Sequence, residues 1–106
     1  MDRQIKHIIQ ELREALEALY GARLTRLVLY GSHARGDTNE DSDIDVMVVL
    51  DGNVSAWEEI TRMNDIVTEL CLKHATLISL FPIAESDYLT KQSPVLHNVH
   101  QEGVMV

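Results

Sequence analysis

The sequence predicts an α/β (α+β) domain in which one small mixed β-sheet is packed with helices. Three observations carry that prediction. Segments whose apolar residues recur at three- and four-residue steps alternate with short runs rich in Val, Ile and Leu. The connections are short, without repeats, low-complexity stretches or an internal linker. The 106 residues suffice for one domain, 1–106, with a modest core that needs no disulfide.

The first helix is expected from Asp2 to Tyr20, with Ile5, Ile8, Ile9, Leu12, Leu16 and Leu19 as its stripe and Gly21 as the stop. Its other face carries Arg3, Lys6, Gln10, Arg13, Glu14 and Glu17, and His7 reads as a surface residue. Leu24 to Tyr30 is the first strand, ending at Gly31-Ser32, and Ser32 to Arg35 reads as a short helical turn. Asp43 to Asp51 is the second strand, closed by the turn pair Asp51-Gly52. Ser55 opens a second long helix, with Glu58 placed to complete a capping box. Its expected buried stripe is Trp57, Ile60, Ile66, Val67, Leu70 and Cys71, with Met63 as a gap-filler and Cys71 as an inert core thiol. Thr76 to Ile83 is the third strand, and Pro82 marks it as an edge or a strand end. Ser86-Asp87 opens a short helical stretch. Ser93 and Pro94 fit the N-cap and first position of a last helix running to about Gln101; Gly103 ends it and Val104 to Val106 adds a short edge strand. His97 and His100 lie three apart on that helix, but with no third ligand nearby they are not taken for a metal pair.

Composition narrows the function. No apolar run approaches the eighteen or so residues of a membrane span, and Met1-Asp2-Arg3 leads into a charged amphipathic segment, so neither a membrane partner nor a signal peptide is expected. The single Cys71 rules out an internal disulfide and a cysteine metal cluster. A cytoplasmic protein is the expectation. The net charge is −8, and the nine Lys and Arg residues are scattered, which counts against direct nucleic-acid binding. Acidic residues gather at Asp37, Glu40, Asp41, Asp43 and Asp45, a patch that attracts Mg²⁺ or a basic protein.

The chemistry concentrates between Leu27 and Leu50 (LVLYGSHARGDTNEDSDIDVMVVL). Gly31-Ser32 ends one apolar run, ten residues follow, and Asp43-Ile44-Asp45 opens the next. On a strand Asp43 and Asp45 point to one side while Ile44, Val46 and Val48 point to the other. Two carboxylates about 5 Å apart repel by roughly 3 kcal/mol at an effective dielectric near 20. A hard divalent cation such as Mg²⁺ reverses that sign and completes its octahedron with water and phosphate oxygens. Gly31 permits close backbone approach to a ligand, and Ser32 offers a hydroxyl and a cap for a short helix. Phosphate on one side and metal on the other describes a nucleotide triphosphate site.

These residues resemble a family. Gly31-Ser32, ten residues, then Asp43-x-Asp45, with Ala34-Arg35-Gly36-Asp37 and Asp41-Ser42 between, look like the signature of the DNA polymerase β-type nucleotidyltransferases. More narrowly, they are similar to the minimal nucleotidyltransferases (MNT) that serve as antitoxins beside HEPN-domain ribonuclease toxins in type VII-like pairs. The resemblance covers about Leu24 to Val106, with the preceding helix also expected. It implies the nucleotidyltransferase fold, ATP as substrate, Mg²⁺ on Asp43 and Asp45 as catalytic and metal-binding residues, and Gly31 and Ser32 on the phosphates. Arg35 either steadies the loop through Asp37 or Asp41 or touches phosphate, and His33 occupies a position that reads as variable. The implied reaction moves AMP to a hydroxyl, plausibly of a tyrosine, on a partner HEPN toxin held in a hetero-oligomer. The alternative is an antitoxin that neutralises by binding and occlusion alone.

One departure stands out. The family places a third acid on the next strand, yet no Asp or Glu occurs between Glu69 and Glu85, and His74-Ala75-Thr76-Leu77-Ile78-Ser79 fills the matching region. Three outcomes stay open: a slow two-carboxylate enzyme, a nucleotide binder without turnover, or a site completed by its partner. Met47 and Val49 continue the face of Asp43 and Asp45, so the sheet is apolar on both sides. Either part of that second face is left open as a binding surface or the N-terminal helix packs on it.

Overall fold

The computed structural model describes residues 3–35 and 43–106. Residues 1–2 and 36–42, with the expected roles of Asp37, Glu40 and Asp41, lie outside the described residues, as do the side chains of Ser32 and Arg35.

In chain order, α1 (Arg3–Tyr20) leads through a 3₁₀ turn (Gly21–Arg23) into β1 (Leu24–Tyr30). Then come α2 (Ser32–Arg35), β2 (Ile44–Leu50), α3 (Ala56–His74), β3 (Ile78–Ala84), α4 (Glu85–Thr90), α5 (Pro94–Glu102) and β4 (Val104–Met105). The strands form one mixed sheet in the order β3-β2-β1-β4. β1 runs antiparallel to β2 and β4, whereas β2 and β3 are parallel and are joined by the crossover helix α3. Pro82 does sit on an edge strand.

Period two divides the sheet into two cores. On one face Leu27, Leu29, Ile44, Val46, Val48 and Leu50 pack against Ile8, Ile9, Leu12 and Leu16 of α1 and Met63 and Leu70 of α3. Each such side chain, fully buried, contributes roughly 1.5–3 kcal/mol. On the other face Val28, Met47, Val49 and Ile83 pack against Tyr88 of α4 and Leu96 and Val99 of α5. The N-terminal helix therefore does not cover the carboxylate face; α4 and α5 cover its far end instead. Ser93 caps α5 as expected, its hydroxyl accepting the Leu96 N–H at 3.1 Å. Gly103 lets the chain turn into β4, since a Cβ there would stand 2.4 Å from the Val99 carbonyl oxygen and 2.6 Å from a Val28 methyl.

Helix α3 departs from the expected packing. Trp57 is 79% exposed and Ile60 also faces solvent, while the inward stripe runs through Glu59, Met63 and Leu70, with Ile66, Val67 and Cys71 partly buried. Glu59 is only 3% exposed. The Tyr20 hydroxyl donates to it at 2.8 Å, and Arg62 and Arg23 stand 3.2 and 3.5 Å from its oxygens. Those partners make a buried carboxylate tolerable and pull Trp57 outward. Burial, then the hydrogen bond to Glu59, pushes the Tyr20 pKa up. The expected capping box is not formed: Ser55 is the N-cap but makes no side-chain cap bond. At the other end α3 is clasped to α1, where Glu11 meets His74 at 2.8 Å, Lys73 at 2.9 Å and the exposed His7 at 3.1 Å.

Candidate active site

Asp45 is the second residue of β2, a central strand, and its in-register neighbours are Tyr30 on β1 and Ser79 on β3. It lies on the α4–α5 side of the sheet, at the end those helices leave uncovered. Asp43 precedes the strand and is exposed. β1 ends beside the pair, where Gly31 adopts φ +77° and turns the chain into α2. A Cβ at Gly31 would stand 2.6 Å from Asp45 Oδ2, so the carboxylate rests against a bare α-carbon. Only glycine combines that backbone angle with that contact.

The electrostatics show Asp43 acting on Asp45. Burial raises the Asp45 pKa above its ordinary value, the Asp43 charge raises it further, and His33 opposes both. Tyr30 is likewise raised, first by burial and then by the Asp45 charge. A carboxylate pair in mutual repulsion, built of hard oxygen donors, fits a divalent cation. Asp43 and Asp45 could hold one.

The structure thus brings Gly31, the start of α2, Asp43 and Asp45 to one place. It also locates the departure on β3: the residue beside Asp45 on the same face is Ser79, a hydroxyl rather than a carboxylate. Among the described residues no group of three or more His, Cys, Asp or Glu is placed to hold a metal. His100 is engaged elsewhere, its Nε2–H donating to the Tyr88 carbonyl at 2.9 Å. Two residues beside Asp45 were given no role from the sequence. His33 lies in the first turn after the Gly-Ser bend, close enough to act on Asp45, and Tyr30 flanks it across the ladder. The register of two antiparallel strands would have exposed Tyr30; His33 carries no comparable periodic signal.

This arrangement defines a class: a strand–turn–strand site with paired acids at the end of a mixed sheet. The nucleotidyltransferase domain family model matches residues 9–99, and the chain belongs to that family. It is 35% identical over 96 residues to a Methanocaldococcus jannaschii protein provisionally named a protein adenylyltransferase, covering 90% of each chain. In fold it is similar to a toxin–antitoxin complex crystallised with AMP-PNP, with a TM-score of 0.65 at 20% identity over 91% of this chain and 69% of that one. It is also similar to the tri-AMPylated Shewanella oneidensis HEPN toxin in complex with its MNT antitoxin, with a TM-score of 0.54 at 20% identity over 94% of this chain and 66% of the other. No helix among the described residues is long and apolar enough to cross a membrane.

Proposed function

We propose that this chain transfers AMP from ATP to a hydroxyl of a partner protein, and that the partner is a HEPN-domain ribonuclease toxin which the transfer inactivates. The observation that carries the reading is the Asp45 carboxylate pressed against the Gly31 α-carbon, with Asp43 at the mouth. The named function of the M. jannaschii relative and the AMPylated toxin of the S. oneidensis complex support the choice of AMP and of a protein acceptor.

In this reading Asp43 and Asp45 hold Mg²⁺, Gly31 and Ser32 seat the β- and γ-phosphates, and Arg35 is a further phosphate contact. Held there by Asp43 and Asp45, the cation would supply positive charge against the phosphates and against the charge developing during transfer. The acceptor oxygen bonds to the α-phosphorus, the bond to the bridging oxygen breaks, and pyrophosphate leaves. With Ser79 beside Asp45, no carboxylate on β3 stands ready to take the hydroxyl proton, which passes to solvent. Losing such a base costs something like 10²–10⁴-fold in rate, so a slow enzyme is expected.

Ser79 also favours the second reading, neutralisation by occlusion with a site that no longer turns over. Intact mass of the toxin after incubation with this chain, ATP and Mg²⁺ separates the two. Additions of about 329 Da, an AMP residue, support transfer. Unchanged mass with lost ribonuclease activity supports occlusion. Asp43→Asn with Asp45→Asn should end transfer in a chain that still folds, and modification by the double variant would refute the metal assignment.

A further inference from the structure

We propose that the β3 edge is where the acceptor docks: an extended, cationic segment of the partner adds alongside Ile78–Phe81 and carries a tyrosine across Ser79 to Asp45. This rests on the reading of the chain as an enzyme that transfers AMP to a protein.

The edge is open in a specific pattern. The Ile44 N–H donates to the Leu77 carbonyl at 2.9 Å, so Leu77 points its backbone toward β2. Parallel ladders alternate, so Ser79 and Phe81 also bond inward, while Ile78 and Leu80 present N–H and C=O outward. β3 is the end of the sheet, and no described residue pairs with that side. Two residues on, Pro82 has no N–H to offer, which blunts the far half of the edge. Only the half beside the carboxylates is left able to accept a strand.

Side chains repeat that placement. Leu77 and Phe81, 66% and 43% exposed, flank Ser79 on the Asp45 side of the sheet. They form an apolar strip ready for alternate side chains of an added strand. Strands lie about 4.8 Å apart, so a segment on β3 runs roughly 9.6 Å from the β2 backbone that carries Asp45. A serine side chain does not cross that gap, whereas a tyrosine does, and the small Ser79 leaves its path clear. Charge selects the occupant: a chain of net charge −8 favours a segment bearing Lys or Arg over an acidic one.

The test uses the whole chain, ¹⁵N-labelled, and a short synthetic peptide alternating Lys and Val around one central Tyr. Amide exchange at Ile78 and Leu80 should slow by at least about tenfold with peptide, while Ser79 and Phe81 stay unchanged. Leu77→Glu and Phe81→Glu should each lose that protection, and Trp57→Ala, on the exposed side of α3, should keep it. Absence of protection at Ile78 and Leu80 overturns the proposal. So does protection that grows with protein concentration before peptide is added, which assigns the edge to a second copy of the chain. AMP transfer to the tyrosine is read separately by mass. Transfer without edge protection removes the docking mode and leaves the activity; protection without transfer supports the docking edge and removes the activity.

Discussion

Replacing Gly31 with alanine tests the site more sharply than removing its acids. A Cβ there would meet Asp45 Oδ2 at 2.6 Å, whereas ordinary contact begins near 3.4 Å, so the carboxylate must retreat by about 0.8 Å. The substitution also places a side chain at φ +77°, a left-handed strain of about 1–2 kcal/mol. Displacement approaching 1 Å at a reacting centre costs on the order of 10²-fold in rate. Gly52 supplies the control: it has φ +85°, and a Cβ there meets nothing within 4 Å. Gly52→Ala should therefore lose a similar 1–2 kcal/mol in urea unfolding with its AMP transfer intact. Gly31→Ala should lose that stability and about 100-fold in the transfer rate followed by intact mass. Transfer by Gly31→Ala within about threefold of the parent, or an equal loss in Gly52→Ala, would refute the claim that Asp45 must sit against that α-carbon.

Other consequences can be measured on stability alone. Asp45→Asn should raise Tm at pH 7 in metal-free buffer, because burial and the Asp43 charge make the ionised carboxylate costly; a lower Tm would contradict that electrostatic picture. Tyr20→Phe strips the donor from the buried Glu59 and should cost about 1–3 kcal/mol in urea unfolding. Trp57→Ala should stay within about 0.5 kcal/mol of the parent while Met63→Ala costs about 2–5 kcal/mol, an order opposite to residue size. The Glu11 carboxyl is pulled down to about 2 by its hydrogen bonds to His74 and then Lys73. A carboxyl depressed in the folded chain stabilises fully above its ordinary 4.5 and loses that contribution as pH falls toward 2. Tm should fall across that window, and Glu11→Gln should flatten the decline.

What the sequence made legible was set by local rules. Strand β1 coincides with its expected span, and Ser93-Pro94, Gly103 and the edge position of Pro82 follow from capping and from a missing N–H. The bend at Gly31 and the pair at Asp43 and Asp45 were visible because their spacing is itself the signal. The first turns of α3 depart from the expected stripe because their decisive contact is not local. Glu59 turns inward because Tyr20 and Arg23, more than thirty residues earlier, are there to receive it. Apolar spacing places Trp57 and Ile60 inward, where they are not, whereas Ile66, Val67, Leu70 and Cys71 do pack on the core as that spacing expects. Ser55 and Glu58 supply the capping-box pattern, yet Ser55 makes no side-chain cap bond. Which face α1 would cover was undecidable from strands apolar on both sides.

One alternation ties the core to the site. Along β2, Ile44, Val46, Val48 and Leu50 face α1 and α3, and Asp45, Met47 and Val49 face the other way. A one-residue slip of this strand would turn Asp45 into the core beneath α1 and put Ile44 at the mouth of the site. Burying that carboxylate unpaired costs several kcal/mol, comparable to the 5–15 kcal/mol that holds a domain of this size together. The register is therefore chosen by the hydrophobic core, and the acids inherit their position from it. The same argument covers β3: Ile78 in the core forces Ser79 to the Asp45 side and leaves Leu77 and Phe81 on the open face beside it. The exposed strip and the carboxylates are adjacent because one packing decision set both.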